Sequence, residues 1–315
     1  MVVALAGGVG AARLLAGIVQ VVDPSSVTAV VNTGDDMVLH GLHVSPDIDT
    51  VTYTLAGLDN RETGWGMAGE TWTVLGELAA LGGEDWFRLG DRDLATHLYR
   101  TQRLHEGAPL SQVTDELARA RGVAVRLLPM SDDPVRTHLT LAEPAGGQPA
   151  GTEIAFQQYF VRLRHAVRVA AVRFDGADRA RPAPGVLEAV AGDERVVVCP
   201  SNPIVSIGPL LAVPGVRTAM ASRRDDVVAV SPIVAGAALK GPADRLLAEL
   251  GHEPSVVGVA RFYAGIAGTL VIDEADADLA PKVEDEGVRA IVAPTVMASA
   301  DRAAALARVV LGAGG

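Results

Sequence analysis

The feature that most constrains this chain is its opening, Val2-Val3-Ala4-Leu5-Ala6 running into Gly7-Gly8-Val9-Gly10. An apolar run that stops on closely spaced glycines, and then continues from Ala11 with apolar residues at helical spacing, reads as strand, tight turn and helix. The next apolar run is Val27 to Val31, with Pro24, Ser25 and Ser26 before it and Asn32 to Asp36 after it. Strands joined by such a helix run parallel, so the opening is a βαβ unit.

Composition agrees with that architecture. Hydrophobic residues make up 49% of the 315-residue chain but aromatics only 4%, so the core is Ala, Val and Leu, as in β-branched strands covered by Ala/Leu helices. From 49 to 121 the pattern becomes helical, with apolar residues on one face over 71–81, 91–105 and 110–120. We read a helical insertion over 50–121. Short strand-like runs return at 123–128, 138–141, 154–156 and 167–174, and the Pro/Gly-rich stretch 143–151 reads as a surface turn. Runs at 196–199, 227–230 and 270–272 resume the α/β alternation. The expected fold is a Rossmann-like, mainly parallel α/β sheet with an inserted helical region, residues 1–315 forming one domain in which the first and last thirds share the sheet.

The formal net charge is −11 and no Lys/Arg block interrupts the chain, which argues against a nucleic-acid partner. The single cysteine, Cys199, excludes an intrachain disulfide and a Cys-based zinc site, and its place in the apolar run Val196-Val197-Val198-Cys199 reads as a buried small residue. The N-terminus lacks a basic leader region, and its apolar stretch is short and glycine-broken. The expectation is a cytoplasmic protein without a membrane partner. An acidic protein that handles phosphates needs local help from glycine-loop amides, a few arginines and a divalent cation.

The glycine turn offers the first of these. Gly8 and Gly10 bring backbone N–H groups toward a ligand, and the helix that follows points its positive end there. The turn is not a Walker A loop, and it half-matches the dinucleotide fingerprint, with Arg13 where a third Gly or Ala is expected. A βα turn that merely needs glycine is the plain alternative. Arg13 either pairs with a phosphate or lies along the surface.

Asp35, Asp36, Asp47 and Asp49 fall within fifteen residues. Clustered carboxylates repel one another and need a compensating cation, and Mg2+ suits oxygen donors completed by water and substrate phosphate. Simpler roles exist for each: Asp47 or Asp49 as the N-cap of a helix starting at Thr50, Asp35 and Asp36 as turn formers after Gly34.

Three further stretches stand out. Phe87-Arg88-Leu89-Gly90-Asp91-Arg92-Asp93-Leu94-Ala95-Thr96-His97 crowds ionisable side chains at a helix start, where a surface ion-pair network is the ordinary explanation. Pro129-Met130-Ser131-Asp132-Asp133-Pro134 is explained by turn chemistry. Pro200-Ser201-Asn202-Pro203, directly after a strand, reads as a rigid loop presenting the Ser201 hydroxyl and the Asn202 amide to a ligand. Ser231-Pro232-Ile233-Val234-Ala235-Gly236 and Lys240-Gly241-Pro242 follow the next strand in the same manner.

Taken in order, GGVGAARLL, VVNTGDD, SPDIDTVTYTL, LGDRDLATH, LPMSDDPVRTH, PSNPIVSIGPLL and SPIVAG resemble the 2-phospho-L-lactate transferase family, CofD in archaea and FbiA in actinobacteria. The resemblance implies a Rossmann-like core with an inserted helical region, a homodimer and Mg2+ dependence. It implies transfer of a phospho-acid from its guanosine diphospho-conjugate to the terminal ribityl hydroxyl of the deazaflavin Fo, releasing GMP, in coenzyme F420 biosynthesis. By the same resemblance Asp49 and Arg88 fall at Fo-binding positions. We assign Asp35 and Asp49 as the catalytic and metal-holding pair, and Gly8, Gly10, Arg13, Ser201 and Asn202 to the guanosine conjugate. Among phospholactyl, phosphoenolpyruvyl and phosphoglyceryl donors, the Ala/Gly/Val/Arg-rich composition with Trp65, Trp72 and Trp86 favours the enolpyruvyl one.

Two rival readings are an NAD(P)-dependent oxidoreductase and a non-catalytic nucleotide-binding relative. Arg13 in the fingerprint and the four aspartates oppose the first, and the presence of Asp49 and Arg88 opposes the second.

Overall fold

Seven short, mostly apolar runs lie side by side in the computed structural model, which describes residues 1–312. They are β1 (Val2–Ala6), β2 (Val27–Val31), β3 (Arg126–Pro129), β4 (Arg195–Val198), β5 (Val227–Val230), β6 (Thr269–Ile272) and β7 (Arg289–Val292). Every pairing among them is parallel, and the spatial order is β7-β6-β5-β4-β1-β2-β3. That is the 3-2-1-4-5-6 arrangement of dinucleotide folds with one strand added at the far edge.

The central strands are buried on both faces, which is why they read as unbroken apolar runs. Val3, Leu5, Val30, Val196 and Val198 pack into one core, and Ala4, Ala6, Ala29, Val31 and Val197 into the other. The second core is covered by helices Gly8–Ile18 and Ala300–Gly312. These two helices approach so closely that a Cβ on Gly17 would lie 2.3 Å from the Ala303 carbonyl oxygen.

The crossover from β2 to β3 carries the hairpin Met37–Leu39/Leu42–Val44 and helices Pro46–Leu55, Thr73–Ala80, Asp91–His105 and Leu110–Ala120. The first of these begins at Pro46, four residues before the expected start. Pro at the first helical position makes Ser45 the flanking residue and puts Asp47 and Asp49 inside the first turn, so neither is an N-cap. Helix Asp91–His105 also differs from expectation. It turns Asp93, Thr96, His97, Arg100 and Thr101 inward and leaves Leu98 and Tyr99 exposed.

Of the four middle runs, only that ending at Pro129 joins the main sheet. Glu153–Ala155, Arg136–Leu141 and Val169–Asp175 form a separate antiparallel sheet in the crossover to β4. Arg136–Leu141 alternates half-exposed and buried positions, as a strand covered on one face does. No single helix among the described residues is long and apolar enough to cross a membrane.

Candidate functional site

The sheet order reverses between β1 and β4, so the crevice at their carboxyl ends is the place where open α/β sheets bind ligands. The glycine turn and the Pro200-Ser201-Asn202 loop meet there. Ser201 Oγ donates to the Gly7 carbonyl at 2.8 Å. A Cβ on Gly10 would lie 2.2 Å from the Pro200 carbonyl oxygen, and one on Gly7 would lie 2.8 Å from Ser206 Cβ. Glycine at 7 and 10 is therefore required by the packing of two strand-end loops. Asn202 accepts from the Ile204 and Val205 N–H groups and caps the turn that follows, while its Nδ2 is left without a partner.

Gly8 sits at φ +72°, in the left-handed region, and its N–H points at Asp47 Oδ1, 2.7 Å away. The positive end of helix Gly8–Ile18 is thus engaged by a carboxylate of the chain itself. Asp47 Oδ2 accepts from Asn32 Nδ2 at 2.9 Å, and Asn32 Oδ1 in turn accepts from the Gly34 N–H at 2.8 Å. Asp35 completes this side of the cluster, with Gln157 Nε2 donating to its Oδ2 at 3.0 Å.

All four aspartates are buried, but the structure divides them into two environments. Asp35 and Asp47 face each other. Burial, then the charges of Asp47 and Asp36, hold Asp35 well above the ordinary carboxylate range. Burial raises Asp47 to about 6 against the pull of Asn32 and the Gly8 N–H. Burial likewise raises Asp36 to about 7, although Arg136 and the Ser45 hydroxyl oppose it. Ser45 Oγ donates to Asp36 Oδ2 at 2.8 Å, and Asp36 Oδ1 is buried without a partner.

Asp49 lies on the other side, its two oxygens gripped by Arg100 in a fork, with Nη1 at 3.1 Å from Oδ2 and Nη2 on Oδ1. Arg100 is only 1% exposed. His97 stands between two carboxylates, Nδ1 3.7 Å from Asp49 Oδ2 and Nε2 3.3 Å from Asp93 Oδ2. Burial works to raise Asp93, but the hydrogen bond and charge of His97, with help from the Tyr53 hydroxyl and Arg100, bring it below its ordinary value. Asp49, Asp93 and His97 offer ligand atoms within 4.8 Å of one another, yet the guanidinium of Arg100 already balances that group.

A divalent cation therefore fits the Asp35/Asp36/Asp47 side better. The donors there are all oxygen, no arginine grips them as Arg100 grips Asp49 although the charge of Arg136 reaches Asp35 and Asp36, and Asp36 Oδ1 is orphaned. The sequence reading clusters all four aspartates and assigns the metal to Asp35 and Asp49, whereas in the fold Asp47 is the carboxylate beside Asp35 and Asp49 is held by Arg100.

Arg88 is solvent-exposed and lies over the Trp72 ring, 4.1 Å from its centroid. It lines a concavity with Trp65, Trp72 and Asp93, so Asp49 and Arg88 are linked through the chain Asp49, His97, Asp93. Arg13 is half-buried without a carboxylate partner among the described residues.

Arg100 and Gln157 are site residues that the sequence reading did not name, and Asn32 and Asp93 entered it only inside longer motifs, without a site role. The signal for two of them was present: Asp93, His97 and Arg100 recur at i, i+4 and i+7. Such a polar stripe on a helix that also carries an apolar one marks a face packed against buried charge.

The family described as 2-phospho-L-lactate transferase CofD matches residues 2–304. A protein of Streptomyces griseus named phosphoenolpyruvate transferase is 48% identical over 312 residues, covering 98% of this chain and 97% of its own length. Proteins of the same name from Thermobifida fusca and Mycolicibacterium smegmatis are 45% and 42% identical, each covered over 95% of its length. Among solved structures, a member of the UPF0052 family from Bacillus halodurans superposes with a TM-score of 0.60 at 17% identity, with 98% of each chain covered, and shows the same fold. With a family match spanning nearly every residue and relatives this similar along their whole length, the chain belongs to the 2-phospho-L-lactate transferase CofD family.

Proposed function

We propose that this chain transfers a phosphoenolpyruvyl group from its guanosine diphospho-conjugate to the terminal ribityl hydroxyl of Fo, with Mg2+ bound. The observation that carries the reading is the match of the family over residues 2–304 together with whole-length relatives named phosphoenolpyruvate transferase. The buried carboxylates at the sheet's switch point supply the chemistry such a step needs.

The ribityl oxygen forms a bond to the phosphorus that carries the enolpyruvyl group, the bond from that phosphorus to the GMP oxygen breaks, and one proton leaves the hydroxyl. Positioning and charge neutralisation dominate such transfers. Asp36, with its free Oδ1 and a pKa near neutrality, suits the role of proton acceptor. Asp35, with Asp47, would hold Mg2+, which when bound offsets negative charge on the diphosphate. Asp49, whose charge Arg100 balances, is given the acceptor side with Arg88. The aromatic wall of Trp65 and Trp72 beside Arg88 suits a planar deazaflavin ring. Assembly with a second copy is supported by helix Thr73–Ala80, which buries no residue, and by Leu81 beside it, 84% exposed.

The test is direct. Purified protein is incubated with Fo, Mg2+ and each of the lactyl, enolpyruvyl and glyceryl conjugates, and products are read by mass spectrometry. The enolpyruvyl product with equimolar GMP is expected, and absence of any product with all three donors overturns the reading.

A further inference from the structure

Lys240 lies outside the chemistry described so far. It follows the hairpin Ile233–Val234/Ala237–Ala238, which hangs from the carboxyl end of β5. Asp276, just beyond β6, ties the hairpin down by accepting from the Ala235 N–H at 2.9 Å. From there the ammonium reaches back to the glycine turn. A Cβ on Gly64 would lie 2.5 Å from Lys240 Nζ and 3.6 Å from Val9 Cγ1, so Nζ, the inserted segment and the first turn of helix Gly8–Ile18 converge.

Arg13 stands on the same helix, and burial followed by its charge lowers the pKa of Lys240. Neither cation has a carboxylate partner among the described residues. Two like charges held together without a counter-ion repel, and an anion placed between them converts that repulsion into two charge-assisted contacts. A diphosphate brings more negative charge and more oxygens to share between two such cations than a monophosphate does.

We propose that Lys240 is a phosphate-binding residue of the donor site, acting with Arg13 to select a nucleoside diphosphate over a monophosphate. The assignment rests on the transferase reading for the identity of the donor and assigns a role to a residue that reading leaves unused. It also accounts for product release, since GMP leaves with one phosphate and less charge to share between the two cations.

The experiment is calorimetric titration of the full chain with GDP and with GMP in Mg2+ buffer. Wild-type protein is expected to prefer GDP. Lys240→Ala should weaken GDP binding about tenfold while changing GMP binding little, so that the preference collapses. Lys240→Arg should restore it. Because Lys240 is exposed, the melting temperature should not move. Equal binding of GDP by Lys240→Ala and wild type, equal losses for GDP and GMP, or no GDP binding by wild type would each overturn the assignment. Wild-type protein that prefers GDP but forms no product with Fo sinks the transferase reading alone, and the GDP/GMP ratio still judges Lys240.

Discussion

Asp47 Oδ1 accepts the Gly8 N–H at 2.7 Å, which joins two motifs 39 residues apart and places a carboxylate where a glycine turn ordinarily receives phosphate. A phosphate arriving at that turn meets negative charge first. The crowded carboxylates Asp35 and Asp36 beside Asp47 add to that repulsion.

The first prediction concerns pH. The folded pKa values of Asp36 and Asp47 are raised from 3.8 to about 7 and about 6, so between those limits the native state binds more protons than the unfolded chain. Their contribution to stability is full below the ordinary carboxylate pKa and is lost as pH rises through the folded values. Metal-free protein should lose thermal stability from about pH 4 to about pH 7, and saturating Mg2+ should raise the melting temperature at pH 8 but hardly at pH 5. Scanning calorimetry across that range checks it, and a flat metal-free profile would count against the raised carboxylates.

Asp35→Asn removes one of three crowded charges. The amide keeps the size of the side chain and can still receive the Gln157 donor, so metal-free protein at pH 8 should gain about 1 kcal/mol while turnover falls by at least about a hundredfold. Chemical denaturation and steady-state assays measure the two effects separately. A destabilised Asp35→Asn protein would mean that the cluster is balanced without a metal.

How much of this was legible is uneven, for physical reasons. Runs buried on both faces, such as Val27–Val31 and Val227–Val230, declare themselves because every residue except the half-buried Thr28 is apolar. Arg136–Leu141, covered on one face, alternates, and the sequence reading did not assign it to a sheet of its own. The four aspartates were visible as a cluster, but their division was not. It depends on Arg100 and Asn32, which stand far from some of their partners in sequence, and no local pattern announces a pairing 51 residues long between Arg100 and Asp49. Helix Asp91–His105 misled because its apolar residues implied the wrong buried face. The face that is buried carries Arg100 against Asp49, and Leu98 and Tyr99 are left exposed.

Arg100 and Asp49 supply the third prediction. Asp49→Asn replaces the carboxylate by an amide of the same size. With Arg100 buried and both Asp49 oxygens engaged, removing that charge leaves a cation unpaired inside the protein, at about 3–5 kcal/mol. Arg100→Met alone should cost a similar amount, and the double variant Asp49→Asn/Arg100→Met less than the sum of the two singles. Urea denaturation of all three gives the coupling, and additive losses would show the pair to be independent.

The last prediction separates glycines that packing requires from those it does not. At Gly10 a methyl group would lie 2.2 Å from the Pro200 carbonyl oxygen, a backbone atom held by the loop whose Ser201 bonds to Gly7. Gly10→Ala must push the β1 and β4 strand ends apart, at about 2 kcal/mol or more, and should abolish nucleotide binding because the switch-point crevice is what opens. Gly76, inside helix Thr73–Ala80, has nothing within 4 Å of its would-be Cβ. Gly76→Ala should stabilise by about 0.5–1 kcal/mol through lost unfolded-state freedom and better helix propensity, with turnover unchanged. Melting temperatures and GDP titrations of the two variants should therefore move in opposite directions from wild type or, for binding at Gly76→Ala, not at all. If Gly10→Ala is tolerated as well as Gly76→Ala, the close approach of the two strand-end loops is not what holds the crevice in shape.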